Sequence, residues 1–437
     1  MSTTTPSPSQ QSKREPTHPV QVHNFRAYWL ARLTMTLAQN AMILIIGWQV
    51  YNIARDAGMS IPEASGQLAL IGLLQFLPLF VLAPVTGLAA DRFDRRLIAR
   101  TTVLLQLGCA CVLAWLTYEE AVTAPALFGV AVVLGIARGF AGPAFSALAP
   151  NLVPKALLPT AIAISTIAWQ VGSILGAALG GYLYSIVPSL TYIVSAILFA
   201  VAIASLLTIG KVPQPLMRKE QRPFRQIIDG VVYVGRNKMV LGAITLDLFA
   251  VFLSGANALL PVFARDILQV GEQGLAQLAM APGIGALLTA SWFSYRPLKH
   301  NVGPKMLFSV LIFGLATIVF ALSTSMALSL LMLFAMGVAD MFSVYVRQSL
   351  VQLHTPNDKR GRVSSVSMLA ISASNEGGDA FSGMLAFYIG PIAALIAGGI
   401  GAVMTVAIWS QIFPVLRTTK TFDPPEDLLH DDHKTHA

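Results

Sequence analysis

Charge, cysteine and recognisable catalytic motifs are scarce in this sequence. Only 11% of its 437 residues are charged, whereas 55% are hydrophobic, and this balance excludes an ordinary soluble domain. The two cysteines, Cys109 and Cys111, lie two positions apart in one apolar stretch. Their side chains point to different faces of a helix, so they cannot form a disulfide with each other. No disulfide framework is therefore expected to support the fold.

Motifs that carry enzymatic chemistry are also missing. The sequence contains no H-E-x-x-H, no G-x-S-x-G and no G-x-x-x-x-G-K-[ST], the patterns of zinc proteases, serine hydrolases and nucleotide-binding loops. All histidines fall in predicted tails or loops, at positions 18, 23, 300, 354, 430, 433 and 436. We therefore expect no enzyme, no cofactor and no metal site, and no activity that ATP drives.

Long apolar runs dominate the sequence instead. A helix needs about 20 apolar residues to cross the hydrocarbon core of a bilayer. We predict twelve such segments, at 26–54, 62–90, 96–117, 122–149, 159–187, 189–210, 238–264, 272–296, 303–323, 327–350, 362–388 and 390–415. They indicate an all-α integral membrane protein whose twelve transmembrane helices form two pseudo-symmetric six-helix halves, 24–210 and 238–417. A linker covers 211–237, and the polar tails 1–23 and 418–437 are predicted to be disordered and cytoplasmic.

Basic residues lie almost entirely on one side of the predicted bundle. Of the 29 Lys and Arg residues, all but four are assigned to that side, in the tails, the linker, the turns or the segment ends beside them. Arg32 and Arg138 are assigned to the interior of segments, and Arg55 and Arg265 to the opposite side. Because basic residues stay in the cytoplasm, both termini are predicted to be cytoplasmic. The net charge of +8 then reflects topology and not a nucleic-acid partner. Residues 224–234 of the linker predict an amphipathic helix on the membrane surface.

An internal repeat relates the two halves. One constant shift places 134–138 over 336–340, and another places 54–56 over 264–266, where both copies read Ala-Arg-Asp. Segment 4 therefore matches segment 10, and segment 1 matches segment 7. A parallel repeat of this kind is expected when two halves are related by an axis along the membrane normal.

The turn between segments 2 and 3 carries a dense group of charges. It reads Gly87-Leu88-Ala89-Ala90-Asp91-Arg92-Phe93-Asp94-Arg95-Arg96. Gly87 permits close approach of two helices, and Asp91 is placed to cap a helix and to pair with an arginine. The run resembles the signature loop of the major facilitator superfamily (MFS), which implies a gating role for Gly87, Asp91, Arg92, Arg95 and Arg96. A plain positive anchor on the cytoplasmic side is the alternative.

Arg138 is predicted to lie inside the membrane. It falls about 16 Å from the cytoplasmic end of segment 4 at 1.5 Å per residue, where an unpaired charge is costly. The run from Arg138 to Gly142 resembles the MFS motif R-x-x-Q-G, with Ala141 in place of the glutamine. We expect Arg138 to pair with Asp340 or Asp247 across the halves and to modulate proton release. The alternative is a structural arginine that backbone carbonyls satisfy.

Two acids in segment 11 are candidates for proton transfer. Glu376 and Asp379 are three residues apart, so they share one helix face, and counting from Arg362 places both in the outer half. Two close carboxylates cannot both ionise easily in a low dielectric, which is what a proton carrier requires. The alternatives are a polar helix contact or a helix break at Gly377 and Gly378. The predicted proton-coupling residues are Glu376, Asp379, Asp247, Arg138 and Asp340.

Small and amide side chains complete the candidate set. Gly172, Gly176, Gly180 and Gly181 in segment 5 resemble the MFS antiporter motif G-x-x-x-G-P-x-x-G-G, with Ala177 in place of the proline. That motif implies a gating element that seals the outer half and marks exporters, although close helix packing also accounts for such glycines. The amides predicted to bind substrate are Gln39, Asn40, Asn257 and Asn375.

A closer resemblance covers 24–416. The stretches 347–356, 360–364 and 373–376, together with 256–268, are similar to the enterobactin-exporter-like branch of the MFS, whose members are also described as multidrug or macrolide efflux proteins. The resemblance implies a monomeric transporter in the bacterial inner membrane. It implies export of a small amphipathic compound, siderophore-like or drug-like, by alternating access in exchange for protons. The alternatives are an uncoupled facilitator, a protein that flips lipids or lysolipids, and a transporter-like receptor.

Overall fold

The structure is a computed structural model that describes residues 17–210, 223–356 and 359–423. At 84, 87, 88, 90, 91, 155 and 223–227 it describes the backbone alone. Helices joined by short turns make up the described residues, and no strand occurs among them. Six helices form the first half: α1 (His23–Asp56), α2 (Ile61–Arg92), α3 (Arg95–Tyr118), α4 (Ala124–Leu148), α5 (Leu158–Ile186) and α6 (Leu190–Thr208).

The second half repeats this plan after a linker helix, α7 (Pro223–Arg236). Its first spanning segment is broken into α8 (Lys238–Leu253), a 3₁₀ turn at Asn257–Leu259, α9 (Leu260–Val262) and a π-helical turn at Phe263–Ile267. The remaining helices are α10 (Gly271–Tyr295), α11 (Val302–Leu322), α12 (Met326–Leu353), α13 (Arg360–Ile389), α14 (Pro391–Ile412) and the short α15 (Pro414–Thr418).

The predicted fold class is confirmed, and segment ends agree with helix ends to within a few residues. Eleven of the described helices are long and apolar enough to cross a membrane. The predicted eleventh segment corresponds to α13, which spans 30 residues but is too polar to qualify by hydropathy. It nevertheless packs along α2 and α8 inside the bundle. With α13 included, the described residues contain twelve spanning segments, as predicted.

Neighbouring helices alternate in direction, so the bundle has two distinct ends. The linker end carries residues 17–22, the α2–α3 turn, the linker helix α7 and α15. The far end carries the turn after α1 at 57–60 and the turn Val187 to Ser189. The halves meet mainly where α2 packs on α13 and where α5 packs on α10. These two seams surround the centre of the molecule, where the charged side chains described below lie.

The linker end is more ordered than the sequence indicates. The predicted tail 1–23 includes a 3₁₀ turn at Pro19–Gln21 whose proline is buried. The predicted tail 418–437 begins with residues held against α11, because the N–H of Gly303 donates to the carbonyl of Thr419 at 3.1 Å. Residues 1–16 and 424–437 of the predicted tails, and most of the linker at 211–222, lie outside the described residues.

The predicted amphipathic linker helix is present as α7. Its inner face packs against α13, where a Cβ added at Gly230 meets the carbonyl oxygen of Arg362 at 2.8 Å. Val234 is buried, whereas Ile228, Val231 and Val232 are exposed on the outer face. The helix therefore has one face that packs on the protein and one apolar face that is free of it.

Candidate functional site

An ion pair joins the two halves in the middle of the bundle. Nη2 of Arg138 on α4 lies 2.6 Å from Oε1 of Glu376 on α13, and Nη1 of Arg138 donates to Oε1 of Gln75 on α2 at 3.2 Å. Both side chains of the ion pair are 23% exposed, so the pair is neither sealed in a core nor freely solvated. It is a charge-assisted hydrogen bond between the two halves of the bundle.

Small residues on α4 allow α2 to approach this pair. A Cβ added at Gly135 lies 2.6 Å from the carbonyl oxygen of Gln75, so only glycine fits there. The close approach brings the amide of Gln75 within reach of Arg138. Gln75 is buried and was not predicted from the sequence, although an amide in the middle of the apolar run of α2 is itself a signal.

The observed partner of Arg138 corrects the sequence prediction. Arg138 was expected to pair with Asp340 or Asp247, but it pairs with Glu376. The two partners occupy similar depths, since Glu376 lies about 20 Å from the far end of α13 and Arg138 about 21 Å from the far end of α4 at 1.5 Å per residue. Glu376 is therefore near mid-depth, slightly nearer the far end of α13 than its linker end.

The predicted helix break lies in a different helix. α13 runs without interruption through Gly377 and Gly378, whereas the chain opposite it leaves the helical path after Leu253. A Cβ added at Gly255 lies 2.5 Å from the carbonyl oxygen of Gly378, so the two backbones are nearly in contact. The glycines of α13 therefore make room for the broken segment of its neighbour.

Asp379 lies one turn beyond Glu376 on the same face of α13. It is close to the charges of Glu376 and Arg138, and its carboxylate faces the backbone N–H of Ala258 in the broken segment. Broken spanning helices present backbone groups to ions and substrates in many transporters. Glu376, Asp379 and Arg138 therefore form one site between the halves.

A second group of charges lies within the second half alone. Nη2 of Arg347 on α12 is 3.1 Å from Oδ2 of Asp247 on α8, with side chains 2% and 7% exposed. Asp340 precedes Arg347 by two helical turns and lies near both charges. Arg347 was assigned to a cytoplasmic turn, which is wrong, because it is among the largest fully buried side chains. Asp247 and Asp340 are thus not partners of Arg138 in this conformation.

The glycines of α5 serve two contacts. Gly172, Gly176 and Gly180 face α1, where added Cβ atoms meet Thr36, Leu37 and Ala41 within 3 Å. Gly181 points the other way, and a Cβ added there lies 2.5 Å from the carbonyl oxygen of Glu272 at the start of α10. Three glycines therefore pack helices within the first half, and Gly181 closes the seam between the halves at the far end.

These features describe a bundle of spanning helices whose two halves meet around a charged centre. A family model described as Major Facilitator Superfamily matches residues 27–375, more than half of the chain. The chain belongs to the major facilitator superfamily. It is therefore a multi-pass membrane protein from a family of transporters and not from a family of enzymes.

Curated MFS relatives match most of the chain at low identity. Enterobactin exporter EntS of Salmonella typhimurium (strain LT2) is 26% identical over 403 residues, covering 89% of this chain and 87% of that protein. Enterobactin exporter EntS of Escherichia coli O1:K1 is 25% identical over 400 residues with the same coverage. The resemblance to the enterobactin-exporter-like branch is thereby confirmed.

Solved MFS structures share the fold. A bacterial homologue of the human lysosomal transporter Spinster, in an inward-facing and occupied conformation, superposes with a TM-score of 0.70 at 16% identity, covering 92% of this chain and all of that one. The xylose transporter XylE from E. coli gives a TM-score of 0.66 at 14% identity, covering 91% of this chain and 97% of that one.

The MFS signature turn between α2 and α3 is described in part. Asp94 caps α3, and its carboxylate binds Arg96 at 2.6 Å, while Arg96 also donates to the carbonyl of Gly210 at 2.6 Å. Nη1 of Arg95 donates to the carbonyl of Ala147 at 3.0 Å, and Arg92 is exposed. The side-chain predictions for Gly87 and Asp91 lie outside what the structure describes.

The predicted substrate amides do not form one site. Nε2 of Gln39 donates to Oε1 of Gln106 on α3 at 2.5 Å, and Nδ2 of Asn40 donates to the carbonyl of Thr36 at 2.9 Å. Asn257 and Asn375 are exposed, next to the broken segment and to Glu376. The structure therefore engages Gln39 and Asn40 within the first half and leaves Asn257, in the broken segment, and Asn375, the chain neighbour of Glu376, exposed.

Proposed function

We propose that this protein exports a small amphipathic compound across the bacterial inner membrane in exchange for protons, by alternating access. The observation that carries the proposal is the Arg138–Glu376 ion pair between the halves. A bond of this kind has to break when the halves move, and protonation of the carboxylate breaks it. Two EntS relatives support the direction of transport and a siderophore-like substrate.

Protonation of Glu376 is the switching step of the proposed cycle. With Glu376 ionised, the guanidinium of Arg138 holds α4 against α13. With Glu376 neutral, the attraction within this pair is lost, Arg138 keeps its hydrogen bond to the amide of Gln75, and the other conformation gains population. Asp379, one turn away, is placed to receive or pass on the proton. Because Arg138 carries a single positive charge, an anionic group of the substrate competes with Glu376 for binding to Arg138.

The remaining predicted residues keep gating or supporting roles in the proposal. Both termini lie in the cytoplasm if basic residues follow the positive-inside rule, which places the far end outside the cell. Gly181 then seals the outer side, and the turn from Gly87 to Arg96 acts on the inner side. Asp247 and Asp340 belong to the buried group around Arg347, so their part in proton coupling is indirect and passes through the position of α8 beside α13.

The test measures proton movement driven by candidate substrates. Inverted membrane vesicles hold a respiration-driven pH gradient, and a pH-sensitive dye reports its collapse. An iron-free catecholate siderophore, a lipophilic cation, a macrolide and a lysolipid are added separately. We expect at least one compound to release protons in vesicles with this protein, and we expect Glu376→Gln and Asp379→Asn to abolish the release. Glu119→Gln, an exposed acid at the far end, is the matched control and retains it.

The same vesicles separate the alternative functions. If a compound accumulates in them while the dye signal stays constant, the protein is an uncoupled facilitator and the acids of α13 are structural. If only the lysolipid moves, the flipping function is supported. Proton release that survives Glu376→Gln contradicts the assignment of the switching step, even if export itself is observed.

A further inference from the structure

Four charged residues tie the halves together at the far end. Asp266, in the π-helical turn, accepts hydrogen bonds from Arg55 at the end of α1, with Nη2 at 3.1 Å and Nε at 3.3 Å. The hydroxyl of Tyr51 donates to the same carboxylate. Arg55 and Asp266 belong to different halves, so this contact crosses the seam.

A second ion pair runs in the opposite sense. Nη2 of Arg265 lies 2.5 Å from Oδ1 of Asp56, and Nη1 of Arg265 donates to the side-chain oxygen of Asn52 at 2.6 Å. Arg265 is the neighbour of Asp266 in the second half, and Asp56 is the neighbour of Arg55 in the first. Each half thus supplies one arginine and one aspartate, and each arginine binds the aspartate of the other half.

This crossing follows from the internal repeat. The two copies of Ala-Arg-Asp, at 54–56 and 264–266, occupy equivalent positions at the ends of equivalent segments. In a contact between two units related by a twofold axis, residue i of one unit meets residue j of the other, and the reverse contact also forms. The π-helical turn Phe263–Ile267 widens the backbone where Arg265 and Asp266 both reach α1, and such turns are frequent at functional sites.

The charge distribution sets these arginines apart. The other turns described at the far end, 57–60, 119–123, 187–189, 268–270, 323–325 and 390, lack Lys and Arg. Basic residues are disfavoured on the side opposite the linker by the positive-inside rule. Among the described residues, Arg55 and Arg265 are the two basic side chains at this end, and each binds an aspartate across the seam, which supplies the counter-charge that offsets their unfavourable side.

We infer that Arg55, Asp56, Arg265 and Asp266 form a crossed clamp that holds the far end closed and opens in every cycle. This inference rests on the two-state cycle of the proposed function, and it adds the group that sets the resting state. The two bonds differ in strength. Arg55 and Asp266 are 25% and 14% exposed, whereas Arg265 and Asp56 are 27% and 68% exposed. Exposed pairs contribute little, so the Arg55–Asp266 bond dominates the clamp.

The test measures the distance across the far end without any substrate. Spin labels are placed at Glu120 in the α3–α4 turn and Thr324 in the α11–α12 turn, in a Cys109→Ala, Cys111→Ser background. Pulsed electron–electron double resonance in lipid nanodiscs then measures the distribution of distances between the two labels, which gives the ratio of closed to open populations. We expect Arg55→Ala to lower this ratio about tenfold, and Arg265→Ala only about two- to threefold, because an exposed ion pair is worth less than about 1 kcal/mol.

A charge swap keeps the test informative if single variants fold poorly. The double variant Arg55→Asp with Asp266→Arg restores the attraction, so we expect it to return the ratio towards that of the parent, and Glu119→Gln is the control that leaves it unchanged. Unchanged distances in Arg55→Ala and Asp266→Ala overturn the clamp. That outcome leaves proton-coupled export untouched, and a failed vesicle experiment likewise leaves the distance result intact.

Discussion

Reversing the charge of Arg138 tests the central ion pair most directly. With N–O at 2.6 Å, the two charge centres lie roughly 4 Å apart, which corresponds to about 4 kcal/mol of attraction at an effective dielectric of about 20. Because both side chains are partly exposed, we take about 3 kcal/mol as the net value. Arg138→Glu replaces this attraction by a repulsion of similar size, for a total loss of about 6 kcal/mol.

A loss of that size is comparable to the whole stability of a folded protein, which is about 5–15 kcal/mol. We therefore expect Arg138→Glu and Glu376→Arg, each alone, to give little monodisperse protein after detergent extraction. The double variant restores an ion pair with inverted polarity, and we expect it to recover at least half of the parent yield. The assay is size-exclusion chromatography of a fluorescent fusion, followed by the melting temperature from tryptophan fluorescence.

A matched second double variant separates the two possible partners. Asp247 already binds Arg347, so Arg138→Glu combined with Asp247→Arg has two misplaced charges and no new pair. We expect this combination to be worse than Arg138→Glu alone. Rescue by Asp247→Arg, together with failure of Glu376→Arg to rescue, refutes the assigned pairing and with it the proposed switching step.

Three further predictions concern other contacts. Gly181→Ala brings a Cβ against the carbonyl of Glu272, so it loosens the far end and raises maleimide labelling of a far-end cysteine, whereas Gly108→Ala, in open space, has no effect. Asp247→Asn removes the ion-pair partner of the buried guanidinium of Arg347 and leaves it only the nearby charge of Asp340. We expect it to lower the free energy of unfolding by about 3 kcal/mol, the low end for a broken buried pair, and the added change Arg347→Met to recover most of the loss. Burial lowers the pKa of His354, so its folded form stays neutral while the unfolded chain binds a proton. Stability is then full above about pH 6.5 and falls as the pH drops towards 5, and His354→Gln flattens this decline in a melting-temperature series.

The spanning segments and their ends were predictable because each depends on a few sequence signals that lie within the segment itself. Apolar length sets each span, and residues such as Pro188 in the turn after α5 end it. The internal repeat also predicted that 54–56 and 264–266 occupy equivalent places. It did not predict that the copies bind one another, since contact depends on how two halves meet and not on either sequence alone.

The pairing of charges was not predictable for a geometric reason. Asp247 and Glu376 both lie near the middle of the membrane, so both were possible partners of Arg138. Counting residues along a helix gives only the depth of a side chain in the membrane. Each residue turns a helix by 100°, so the choice of partner depends on rotation about the axis and on neighbours such as Gly135. Arg347 was missed because it lies near the end of an apolar run. Its spacing of seven from Asp340, which places both on one helix face, was the available signal.

The polarity of α13 has a consequence for how the protein is made. This helix carries Glu376 and Asp379, and among the twelve long helices of the described residues it is the one that is less apolar than an ordinary membrane span. The charge that neutralises Glu376 belongs to α4, which is synthesised far earlier. A short turn at Gly390 ties α13 to the strongly apolar α14. We therefore expect α13 to insert stably only when the first half is already folded and α14 has been synthesised. Truncation of the chain before the end of α14 should then impair membrane insertion of the second half.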